Sequence, residues 1–133
     1  MLFNALFGGD LTVFLLFTLI SMPGRLFSLS CHEWAHAYAA YRSRDPTAKN
    51  LGRMTLDPAK HIDPIGFIIW LFVGFGWAKP VPVNPRNFKK YVRDDIIVSL
   101  AGVTTNFILA FLFLGIAFSL ALIFKISEII FRL

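Results

Sequence analysis

Two histidines and a glutamate stand at chemically useful spacing in the stretch HEWAH, at His32, Glu33 and His36. On a helix, residues four apart are neighbours, with Cβ atoms about 5–6 Å apart. Two imidazoles so placed can reach one zinc ion at about 2.0–2.1 Å. Glu33 lies one position round from His32, where it can touch a water on the metal without ligating the metal itself. Zinc lowers the pKa of such a water to about 7, and a carboxylate beside it can take the proton as general base and pass it to a leaving amine. This is the H-E-x-x-H arrangement of zinc peptidases. In a soluble helix the same pattern often marks surface or capping histidines. Here the neighbouring chain is apolar, and ionisable groups near hydrocarbon are costly enough, at about 2.5–3.5 kcal/mol for a charged residue at the helix centre, to be functional by default.

The elements that must position this group are those of a membrane protein. Of the 133 residues 56% are hydrophobic and only 16% charged, with 15 Phe, against about 25% charged in an ordinary soluble domain. Residues 96–124 carry no charge and exceed the roughly 20 apolar residues that a spanning helix needs. Residues 11–41 carry only Arg25, Glu33 and two histidines and are also long enough to cross, with Pro23-Gly24 expected to kink or break them. Arg25 must snorkel, pair or line a wet cavity. Residues 65–78 are apolar but short, which suits a re-entrant or half-spanning segment.

Charge sets the expected orientation. Arg42, Arg44, Lys49, Arg53 and Lys60 precede the short segment, and Lys79, Arg86, Lys89, Lys90 and Arg93 follow it. Basic flanks on both sides place both on the cytosolic side. The net charge of +5 therefore reflects membrane orientation and gives no reason to expect a nucleic-acid partner. The sequence predicts an all-α membrane protein in one domain. An inward helix spans 11–41, a cytosolic-side region 43–93, and an outward helix 95–124, with a mixed, amphipathic tail from Lys125 to Leu133. The first ten residues hold no Lys or Arg, so no cleaved leader is expected. Within the middle region, residues 52–56 and 81–84 are expected to form short strands. Asp-Pro and Lys-Pro pairs mark the turns. Trp70, Trp77 and Tyr91 suit interfacial anchors.

The order HEWAHAYAAY, then DPTAKNLGRMTLDPAKHIDPIGF (45–67), GFGWAKPVPVNPRNF (74–88) and SLAGVTTNFILA (99–110) resembles the site-2 protease family of intramembrane zinc metalloproteases, in its short prokaryotic branch. The resemblance covers nearly the whole chain. It implies zinc held by His32 and His36, Glu33 as the catalytic glutamate, and cleavage of membrane-embedded or membrane-proximal segments of other proteins. The implied setting is a prokaryotic cell membrane, with the site towards the cytosol. Gly74-Phe75-Gly76 is similar to a family hairpin that holds substrate as an added strand. Ala101, Gly102 and Asn106 match an Ala-Gly-Pro-x-x-Asn element, with Val103 in place of the proline. Asn106 is either an interhelical contact or a substrate contact.

The family's third zinc ligand is an Asp in a Leu-Asp-Gly motif on a later helix, and no such motif occurs before Leu133. Two readings follow: a zinc endopeptidase, or a truncated, non-catalytic relative that binds membrane segments or regulates a full-length partner. On either reading the 133 residues alone are expected to be inactive. His61, in KHIDPIG, is the best internal substitute ligand. It is expected within a side chain's reach of the histidine pair but not in direct coordination.

Overall fold

The structure is a computed structural model that describes Gly8 and residues 10–131, with side chains described up to Lys125. The tail beyond Lys125 thus lies outside the described side chains. Among the described residues the chain is all-helical, and two of these helices are long and apolar enough to cross a membrane.

Helix α1 runs from Leu11 to Arg42. Asp10 caps its start, its carboxylate accepting from the Thr12 and Val13 N–H groups at 2.7 and 3.2 Å, which satisfies donors that a helix leaves unpaired. Of the kink or break expected at Pro23-Gly24, the break does not occur: α1 is continuous through Pro23. Proline removes one N–H and crowds one carbonyl, a local defect that the turns on either side bridge. Arg25 gains aromatic partners: its guanidinium lies 5.6 Å from the Phe17 ring centroid and 5.4 Å from that of Trp70, close enough for cation–π attraction.

After a four-residue helix, α2 (Thr47–Asn50), and a 3₁₀ turn at Pro58–Lys60, helix α3 covers Pro64–Val73. Its start combines Pro64 with the Asp63 carboxylate, which accepts from the Gly66 N–H at 2.8 Å, a favourable N-terminal pairing. Gly74 stops the helix in the left-handed region at φ 79°, a conformation that costs glycine little. Ten residues make about 15 Å of helix, half a bilayer core. The chain then turns back. Ile62 and Ala78 form an isolated antiparallel bridge, and the Lys79 N–H donates to the His61 carbonyl at 2.9 Å. The segment 63–77 therefore leaves and returns at one place, the form expected of a re-entrant element. Gly66 and Gly76 permit this close return, since a Cβ on either would collide with the opposing backbone.

The expected strands do not form. Among the described residues the bridge at Ile62 and Ala78 is the isolated trace of pairing. Residues 81–84 form no ladder, because Pro82 has no N–H to give and the N–H groups of Val81 and Asn84 donate to the carboxylates of Glu33 and Asp45 instead.

A 3₁₀ turn at Pro85–Asn87 leads into helix α4, Tyr91–Phe131. It begins four residues before the expected 95, because the Asp94 carboxylate reaches back to the Lys90 N–H at 2.8 Å and caps the first turn. Helices α1 and α4 pack against each other, with Ala40, Phe88 and Val98 forming a buried cluster. Alanines on α1, two of them fully buried at Ala37 and Ala40, allow close helix approach.

Candidate metal centre

The histidine pair faces α4. The two Nε2 atoms of His32 and His36 are 3.0 Å apart, with ring centroids at 4.7 Å. Two nitrogens bound to one tetrahedral ion at about 2.0–2.1 Å would be separated by about 3.3 Å, so the pair stands close to chelating geometry. Each ring is held from behind. The Nδ1 of His36 lies 2.7 Å from the Val98 carbonyl. A carbonyl only accepts, so this nitrogen carries the proton and Nε2 keeps its lone pair for the shared point. The Nδ1 of His32 lies 3.1 Å from the Asn106 amide nitrogen, and the Asn106 oxygen accepts from the Ser28 hydroxyl at 3.0 Å. An amide can present nitrogen or oxygen by a flip. With the oxygen towards His32, Nδ1 donates and Nε2 is again free to ligate. The Ser28 hydroxyl accommodates either choice, as donor or acceptor. Such partners behind ligating histidines fix ring orientation and tautomer.

Gly102 completes the cradle. A Cβ there would lie 2.5 Å from His32 Cε1, His32 Nε2 and His36 Nε2 alike. The space that glycine leaves open is thus the space over both Nε2 atoms. The donors and this cradle fit two of the three protein ligands that a catalytic zinc usually has. Among the described residues no group of three or more His, Cys, Asp or Glu side chains converges. His61 does not join the pair as a third donor. It is fully buried, with Nε2 on the Thr55 carbonyl at 2.8 Å and Nδ1 buried without a partner.

Glu33 is buried and accepts the Val81 N–H through Oε2 at 2.9 Å. That bond crosses from α1 to the extended segment 80–84 and fixes the carboxylate beside the histidines. Arg53 steadies the same segment, donating to the carbonyls of Lys79 and Pro80 at 2.8 and 3.3 Å. Of the residues expected to meet substrate, Gly74 ends α3, Phe75 is exposed, and Gly76 packs against the backbone of Gly66. Asn106 stands behind His32.

Sequence reasoning missed Asp45. This fully buried carboxylate accepts from the Asn84 N–H at 2.7 Å, the Asn87 amide at 2.8 Å, and the N–H and hydroxyl of Thr47. It joins the end of α1 to the segment that holds Glu33. The Asp-Pro pair signalled a turn but gave no hint of these distant partners. Burial disfavours its charge, yet the bonds from Thr47, Asn84 and Asn87 outweigh burial and hold its carboxyl below the ordinary aspartate range. A depressed folded-state pKa stabilises the fold above about pH 4, and the contribution disappears as pH falls through the lowered value. Asp45→Ala should cost about 2–3 kcal/mol, since buried donors lose a charged acceptor. Thermal unfolding in detergent at pH 7 reads this loss, and an unchanged midpoint would remove Asp45 as a brace.

The chain is 50% identical over 103 residues to the Bacillus subtilis protein named "Putative zinc metalloprotease YwhC", a match covering 74% of this chain and 47% of the relative. It is 33% identical over 103 residues to "Putative zinc metalloprotease Rip2" of Mycolicibacterium smegmatis, covering 74% of this chain and 39% of that one. The Rip2 of Mycobacterium tuberculosis strain H37Rv is 34% identical over 99 residues, covering 71% and 38%. The chain thus spans less than half the length of each of these relatives. No family model and no solved structure matches it.

Proposed function

Since the chain belongs to the family of these zinc metalloproteases, the site-2 protease family that its motifs resemble, we propose that it forms the histidine-bearing part of a zinc-dependent endopeptidase that cuts membrane-embedded segments of other proteins. The observation that carries this reading is the convergence of the two Nε2 atoms at 3.0 Å under the open face of Gly102. His32 and His36 would hold the ion. When bound, zinc would polarise the scissile carbonyl and bring the pKa of a water to about 7.

The remaining work falls to this chain's own side chains. Val98 keeps His36 in one tautomer, and Asn106 holds the direction of the His32 ring and, with its oxygen turned to Nδ1, would set that tautomer too. Glu33 takes the proton of the attacking water and returns it to the leaving amine. Val81 holds one carboxylate oxygen, so the base stays aimed while buried. A peptide bond inside a helix is already hydrogen-bonded and shielded, so substrate must unwind locally before it reacts. The hairpin around Gly74–Gly76 and the extended segment 80–84 are the natural surface for the unwound strand. The shared departure point of 62 and 78 supports a region 43–93 lying on one membrane side, the cytosolic one by its charge.

The test is cleavage of a single-span reporter by the full-length protein, with fragments identified by mass spectrometry. Expected are cuts within the cytosolic half of the span, lost on zinc chelation and restored by added zinc. Cuts confined to a soluble loop would end the membrane reading, and chelator-resistant cuts would end the zinc reading.

A further inference from the structure

We propose that a basic cleft between the ends of the two long helices binds the headgroup of an anionic phospholipid. The cleft encloses about 610 Å³, and Arg42 and Arg44 line one wall while Lys89, Lys90 and Arg93 line the other. The acid among the lining residues is Asp94, buried, with its Oδ2 accepting the Lys90 N–H at 2.8 Å. Its charge offsets one of the five cations, and four remain uncompensated by any acid in the lining. Gathering like charges is unfavourable without a counter-charge, so the cavity is complementary to a polyoxygen anion. Guanidinium and ammonium groups both suit a phosphate, the former by paired N–H donors.

Position and shape select a lipid over a free anion. The cleft lies where α1 ends at Arg42 and α4 begins at Tyr91. In helices of membrane length, such ends lie at the headgroup level. Ala39 and Ile97 also line the cleft, giving an apolar continuation for the glycerol and upper acyl chain. Basic pockets between membrane helices on the cytosolic side are suited to anionic headgroups. The turn that aims this wall is fixed: Arg44 adopts a left-handed φ of 76°, with its N–H on the Tyr41 carbonyl at 3.1 Å and the Asp45 N–H on the Ala40 carbonyl at 2.9 Å. The site is independent of proteolysis, although Ile97 directly precedes Val98, the residue that holds His36.

The experiment compares retained lipids by native mass spectrometry, using the full-length protein released from vesicles of phosphatidylglycerol and phosphatidylcholine in equal parts. Expected is one phosphatidylglycerol held preferentially. The triple change Lys89→Gln, Lys90→Gln and Arg93→Gln should weaken retention by about fivefold per residue, about 100-fold in all. A second triple, Lys60→Gln, Lys79→Gln and Arg86→Gln, removes the same charge outside the cleft and should leave retention intact. Equal losses in both triples would reduce the effect to general surface charge and overturn the site. Equal retention of phosphatidylcholine would do the same. Displacement of the lipid by millimolar inorganic phosphate would replace a lipid site by a free-anion site.

Discussion

Gly102→Ala is expected to empty the metal centre while leaving the fold standing. The added methyl carbon falls 2.5 Å from both Nε2 atoms and from His32 Cε1, far inside van der Waals contact. The helix itself gains from alanine, whose propensity exceeds that of glycine by about 1 kcal/mol. Relief must therefore come from the imidazoles, and either ring can retreat only by breaking its rear bond to Val98 or Asn106. Loss of such partners alone weakens metal binding 10–100-fold, and here the ligating atoms are also pushed apart. Zinc affinity should fall by at least about 100-fold on that scale. Zinc content after dialysis against a competing chelator measures it. An alanine variant that keeps wild-type zinc would show that the ion is held somewhere other than beneath Gly102.

Glu33→Gln should separate metal binding from chemistry. Glutamine has nearly the same shape and its amide oxygen can still accept the Val81 N–H, so the segment 80–84 should stay in place. Zinc should remain, since Glu33 is not one of the converging nitrogens. The amide is not a base, and proton transfer by a positioned group is worth about 10²–10⁴ in rate. Cleavage of a membrane reporter by the full-length protein should fall by about that factor at unchanged zinc content. Retained cleavage would remove Glu33 from the reaction.

The convergence of the two histidines was legible because its information is local. His32 and His36 need only a helix to become neighbours, and residues 11–41 announce one through composition. The long helices were equally legible, apart from their exact ends, which depend on individual caps such as Asp94. The re-entrant course of 65–78 followed from length and flanking charge, and the bridge between Ile62 and Ala78 is consistent with it. What stayed hidden was pairing across long stretches of chain. Asp45 meets Asn84 and Asn87, and Glu33 meets Val81. Nothing in residue type says which distant N–H a buried carboxylate will find. The strands expected at 52–56 and 81–84 failed for the same reason: β-compatible residues were visible, but the destinations of their backbone donors were not. His61 drew attention as an imidazole near the motif in sequence, yet its ring is turned to the Thr55 carbonyl.

The segment Pro80–Pro85 reads PVPVNP, and its three prolines leave N–H groups only on Val81, Val83 and Asn84. Two of those three are donated, to Glu33 and Asp45. What the segment still has to offer a neighbouring chain is thus almost entirely lone pairs, on the carbonyls of Val81, Pro82 and Val83, since Arg53 engages that of Pro80 and the N–H groups of Asn87 and Phe88 engage those of Asn84 and Pro85. A polypeptide laid alongside must bring the hydrogens itself. On the proposed function the stretch would be a one-signed template, receptive to an unwound backbone with its amides free and indifferent to one built of prolines.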